Sequence, residues 1–119
     1  MTAHALLILA LTLAASPAMA QQDGQAVYAA NCAACHQASG AGIKGAFPAL
    51  AGDPFVAGDP APLIGRVLAG KAGMPAFAAS LSDDQVAAVV TYVRSAWGNG
   101  GGAVTPAQIA AARAAMASH

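Results

Sequence analysis

Charged residues are scarce here: 8% of 119 residues, with five basic and five acidic side chains that cancel. A nucleic-acid binder needs a basic surface to neutralise phosphates, so that class is excluded. Zero net charge also argues against a strongly steered encounter with any partner. Aromatic residues make up only 5%, which leaves a thin core for a domain of about 100 residues. A large apolar prosthetic group would supply what the side chains lack. Histidine occurs three times, at His4, His36 and His119. No Ser/His/Asp set can be assembled, so the chain is not expected to be an enzyme by itself. Cysteine occurs twice, at Cys32 and Cys35.

Long apolar runs are absent after Ala20, so no membrane span is expected in the mature form. Residues 1–20 read as a signal peptide. The apolar stretch Ala5 to Ala15 is followed by Ser16-Pro17 and by small residues at Ala18 and Ala20, which suits cleavage before Gln21. The start of this leader has His4 but no Lys or Arg, and an uncleaved anchor is the rival reading. Its apolar run is about half the roughly 20 residues that span a bilayer. A cleaved leader places the protein in the periplasm.

Four stretches read as helix and none as sheet. The clearest spans Asp83 to Trp97. Ser82 and Gln85 form a capping box, and Leu81 and Val86 are placed for a hydrophobic staple. Val86, Val89, Val90, Val93 and Trp97 follow the stripe of a buried helical face. Asp83, Asp84 and Arg94 complement the helix dipole, and Gly98 closes the helix. A second helix starts at Pro60 after Asp59, carries Leu63, Ile64, Val67 and Leu68, and stops at Gly70. A third runs from about Gly24 to Asn31, with Gly24 and Tyr28 one turn apart. The last follows Thr105-Pro106-Ala107-Gln108, after a flexible segment from Asn99 to Gly102, and looks appended. Gln37 to Gly58 reads as a long loop, and such loops in compact domains usually have a functional reason.

Cys32-Ala33-Ala34-Cys35-His36 is the pattern C-x-x-C-H, which marks c-type haem attachment. Two thiols one helical turn apart can each add to a haem vinyl group. The next residue then presents an imidazole to the iron. A disulfide is the rival reading in an oxidising compartment. A thioredoxin-like motif would want a βαβ context that is absent, and a closed zinc site needs four ligands. Of four methionines, Met1 and Met19 lie in the leader and Met116 in the last helix. Met74 remains as the sixth-ligand candidate, held out of helical conformation by Pro75. A flexible core filler is the plainer role for such a residue, and a vacant sixth position that binds small gases is the other alternative.

On these motifs the chain resembles the class I monohaem cytochromes c over Gln21 to Gly98. The resemblance implies an all-α, cytochrome c-like fold: three core helices joined by long loops around one covalent haem c, plus a short C-terminal extra helix. It implies a haem domain at residues 21–98, with residues 99–119 as linker and extension. It also implies that Gly24 and Tyr28 cross the Asp83 helix at Tyr92, and that the Pro48 carbonyl accepts a hydrogen bond from the haem histidine, although Pro48 could equally be a turn former. His36 and Met74 would be the axial ligands, with Cys32 and Cys35 making the thioethers. Gly73 to Asn99 is similar to haem domains of periplasmic dehydrogenase cytochrome c subunits. The implied function is single-electron transfer between a dehydrogenase or other donor and the respiratory chain, with a dehydrogenase, an oxidase or another cytochrome as partner.

Overall fold

The computed structural model describes residues 8–11 and 23–118. Most of the expected leader, the cleavage point before Gln21 and the terminal His119 lie outside them. There are six α-helices among the described residues: α1 (Gly24–Asn31), α2 (Ala33–His36), α3 (Pro54–Ala57), α4 (Pro60–Ala69), α5 (Asp83–Ser95) and α6 (Pro106–Ala117). Among the described residues there is no strand, only the isolated bridges Ile43–Phe47 and Lys71–Met74. None of these helices is long and apolar enough to cross a membrane.

Side-chain caps set the helix starts. Asp23 accepts from the N–H groups of Gln25 and Ala26, and Asp59 accepts from Ala61 N–H. Both capping boxes, Ser82 with Gln85 and Thr105 with Gln108, are closed in both directions. The α1–α5 crossing is the tightest contact between helices. A Cβ at Gly24 would overlap the Ala88 carbonyl oxygen and lie 2.9 Å from Tyr92 Cβ. Only glycine lets the two backbones approach so closely. Tyr28 is buried one turn later, its ring centroid 5.4 Å from that of Tyr92 and 5.3 Å from that of Trp97.

Three expectations need correction. First, α5 ends at Ser95, and Trp97 sits in a short 3₁₀ turn with φ 52°. The buried stripe therefore stops at Val93. The break lets Trp97 swing back, donate from its indole N–H to Ala38 O at 3.1 Å, and join the two tyrosines. Second, the long loop contains α3, capped by Asp53 ahead of Pro54 and fixed by the fully buried Val56. Asp-Pro starts this helix as it starts α4. Third, the glycine-rich segment after Trp97 is pinned. Asn99 donates to Leu50 O and Val93 O and accepts from Gly52 N–H, and Gly101 N–H donates to Arg94 O.

Arg94 is only 6% exposed. Its guanidinium donates to Val56 O at 2.9 Å, Gly58 O at 2.6 Å and Gly102 O at 2.8 Å. A buried cation is tolerable where carbonyls satisfy its fixed fork of donors. It clasps the loop before α4 and the segment before α6 to α5. The last helix packs into the core as well: Ile109 and Val104 are buried, and Val104 N–H donates to Thr91 Oγ1 at 3.0 Å.

Candidate functional site

The C-x-x-C-H segment begins where α1 ends. Cys32 N–H donates to Tyr28 O, and the N–H of His36 donates back to Cys32 O at 2.9 Å. The single turn α2 therefore carries Cys35 and His36 directly after Cys32. Gln37 stops the turn with φ 69°, and its carbonyl accepts from the Tyr28 hydroxyl at 2.6 Å. The crossing of α1 with α5 is thus tied to the end of the Cys-His turn.

His36 Nδ1 lies 2.9 Å from Pro48 O. A carbonyl only accepts, so this contact places the proton on Nδ1 and leaves the Nε2 lone pair available as a ligand. No disulfide joins Cys32 and Cys35. Burial first, and then the charge of Cys35, push the Cys32 thiol up to about 11.

Met74 approaches from the other side of the chain's midpoint. Its N–H and C=O both pair with Lys71, at 2.9 and 3.1 Å, in a tight turn directly after α4. Gly70 enables that turn. It has φ 68°, and a Cβ there would lie 2.5 Å from Met74 O and 2.8 Å from Ala76 N.

One cavity of about 320 Å³ is lined by Cys32, Cys35, His36 and Met74 together, with Phe47, Pro48, Arg66, Pro75 and Phe77 among its other walls. A smaller one, about 100 Å³, shares Cys32, His36, Pro48, Arg66 and Met74 and reaches core residues Val56, Leu63, Val67, Val89 and Val93. The sequence-expected site residues Gly24, Tyr28 and Tyr92 lie behind this site, at the helix crossing. A larger groove of about 650 Å³, between the start of α1, α5 and residues 103–106, has no thiol, imidazole or thioether on its walls.

Arg66 escaped the sequence reading. It is a lone cation on the otherwise apolar α4, lining both cavities with its guanidinium 5.1 Å from the centre of the Phe55 ring. That isolation in an apolar helix was the available signal. The site therefore offers two thiols, an imidazole nitrogen and a thioether sulfur on mainly hydrocarbon walls, with Arg66 and Lys71 as the cations. These soft donors and this lining fit an iron porphyrin bearing two carboxylates. No cluster of three or more His, Cys, Asp or Glu side chains exists among the described residues to hold a zinc ion.

Comparison with known proteins agrees with this fit. The family described as cytochrome c oxidase, cbb3-type, subunit III matches residues 19–93, more than half the chain. The gluconate 2-dehydrogenase cytochrome c subunit of Pantoea cypripedii is 41% identical over 100 residues, covering 73% of this chain but 23% of its own length. The cytochrome subunit of a quinone alcohol dehydrogenase from Gluconobacter oxydans is 38% identical, over 64% of this chain and 18% of its own. The chain thus spans about a quarter or less of these two relatives. Cytochrome c-552 of Thermus thermophilus is 39% identical over 108 residues, which cover 77% of this chain and 72% of that protein. The chain belongs to the cytochrome c family, with its all-α fold and its covalently bound haem c.

Proposed function

We propose that this protein is a periplasmic electron carrier in which Cys32 and Cys35 hold haem c through thioethers and His36 and Met74 are its axial ligands. The observation that carries the reading is the His36 Nδ1 contact with Pro48 O, made on the same cavity that Met74 lines. Bound haem supplies a one-electron couple between ferric and ferrous iron. The remaining work belongs to the side chains. Pro48 fixes the imidazole ring and raises its basicity, as outer-shell acceptors do. Met74 donates a neutral sulfur, which favours the reduced state over a second imidazole. Phe47, Phe77 and the valines of α4 and α5 keep water from the site, and a dry surrounding disfavours the extra charge of the oxidised form. Arg66 and Lys71, both on the cavity wall, would offset the charge of the cofactor's carboxylates.

Family members are electron carriers or haem subunits of larger complexes. In this reading the partner is a dehydrogenase, an oxidase or another cytochrome. It docks on apolar surface beside the cavity, where Ile43 is 45% and Phe47 37% exposed and Ala34 and Pro75 are also exposed. The similarity to gluconate and alcohol dehydrogenase subunits favours a dehydrogenase.

The test is an absorption spectrum of the haem-loaded protein, oxidised and reduced, with carbon monoxide added to the reduced form. A six-coordinate spectrum unmoved by carbon monoxide is expected. Fast carbon monoxide binding at neutral pH would replace this reading with a gas-binding haem protein.

A further inference from the structure

We propose that Arg113, on the C-terminal helix, is a positioning residue for Met74: it braces the segment that carries the thioether and so sets how often the sulfur leaves the iron. The proposal rests on Met74 being the axial ligand. It assigns a role to α6.

The segment between Met74 and α5 has two sets of anchors. On the donor side, Phe77 N–H bonds Val67 O at 3.0 Å and Ala78 N–H bonds Leu68 O at 3.1 Å, both on α4. On the acceptor side, Phe77 O is used within the segment's own turn by Ser80 and Leu81 N–H, and one residue, Arg113, reaches in from α6. The Arg113 guanidinium donates to Ala78 O, to Leu81 O at 2.6 Å and to the Asp83 carboxylate at 2.6 Å. One side chain thus ties down three acceptors within residues 78–83. It comes from the face of α6 that holds Ile109, fully buried one turn earlier. A lysine could not replace it, because a single ammonium lacks the rigid fork that reaches three acceptors.

Removing the guanidinium leaves two carbonyls and a carboxylate without their shared partner. Charge-assisted bonds of this kind are among the stronger ones, so conformers in which residues 78–83 shift become more populated. Met74 lies four residues before Ala78 and is pinned on its other side by Lys71 alone. It moves with the segment.

The competing view is that Arg113 merely helps to hold α6 in place. Thr105→Ala separates the two, since it weakens the cap of α6 and Thr105 makes no hydrogen bond to residues 74–83. The experiment titrates the oxidised, haem-loaded protein with imidazole, which enters only when the sixth position is open. Its apparent affinity therefore follows the open fraction. Thermal unfolding is recorded in parallel.

Arg113→Ala is expected to tighten imidazole binding about tenfold, the scale of one lost charged hydrogen bond. Arg113→Lys is expected to tighten it less. Thr105→Ala is expected to lower the unfolding temperature while leaving the imidazole affinity unchanged. If Arg113→Ala lowers the unfolding temperature but leaves imidazole affinity at the wild-type value, the brace does not exist. Should that variant not accumulate with haem, an unchanged affinity in Arg113→Lys overturns the brace in the same way. Met74→Ala completes the set: an unaltered spectrum there would overturn the ligand assignment and the brace with it. An altered spectrum there with an unmoved Arg113 variant overturns the brace alone.

Discussion

The two sides of the proposed haem cavity are built by different means. On the Cys32–His36 side, most of the support is local: α1 runs into α2, each turn bonding the one before, and the Tyr28 hydroxyl fixes Gln37 just beyond. Pro48 O and the Trp97 indole add single bonds from farther along the chain. On the Met74 side, beyond the local Lys71–Met74 turn, the supports come from elsewhere. The end of α4 supplies two carbonyls, and α6 supplies Arg113 from 30 to 35 residues away. Local support is rigid and costs little loop entropy. Remote support can be loosened without unfolding the molecule. The geometry thus suits a permanent attachment on one side and an exchangeable ligand on the other.

The largest expected effect breaks the first side outright. Changing Cys32 and Cys35 together to Ala should leave any haem extractable by acidified organic solvent, and the mass of the purified chain should be that of bare polypeptide. Haem that stays bound after extraction would refute thioether attachment. On the second side, Met74→Ala should lower the reduction potential by on the order of 100 mV, a modest part of the roughly 0.8 V that axial ligation covers. It should also admit carbon monoxide to the reduced iron. Equilibrium redox titration decides it, and an unmoved potential means that another residue is the ligand.

The same division explains what could be read from the sequence. Features governed by neighbours were legible: the helix starts after Asp59, Ser82 and Thr105, whereas the glycine at the α1–α5 crossing came from the family resemblance. The motif pattern also sufficed to bring Cys32, Cys35, His36 and Met74 into one short set of candidates, which the fold gathers on one cavity. Features governed by distant partners were not legible. Arg94 looks like a cation at the end of a helix, yet its guanidinium serves carbonyls 36 and 38 residues away. Asn99 looks like the start of a flexible linker, yet it bonds Leu50 O and Gly52 N–H. Trp97 fits a helical stripe by spacing, but packing against Tyr28 and the bond to Ala38 O outweigh one more turn of α5.

Behind the attachment side, Gly24→Val should cost about 1–3 kcal/mol of stability, the range for forcing extra atoms into a close-packed contact. Here the obstacle is the Ala88 backbone, which cannot rotate away. Denaturant unfolding measures the loss, and imidazole affinity should stay at the wild-type value because the Met74 side is untouched. A variant as stable as the wild type would mean that α1 and α5 are not this close in solution.

The smallest effect concerns pH. Burial, with smaller contributions from the charges of Cys32 and Tyr92, raises the Tyr28 phenol from 10 to about 12. With Cys32 in the proposed thioether its charge would be absent, but burial, the leading cause, persists. A raised pKa means that the fold prefers the protonated phenol, which donates to Gln37 O. Its contribution is therefore complete below pH 10 and disappears as the pH rises towards 12. Tyr28→Phe lacks both the bond and the titration. It should be less stable than the wild type by about 1 kcal/mol near neutrality, with the gap closing only above pH 10. Denaturant midpoints for the two proteins, followed into alkali, test this. Curves that stay parallel throughout would show that the phenol is not protected, and that the attachment turn is less firmly held than its hydrogen bonds indicate.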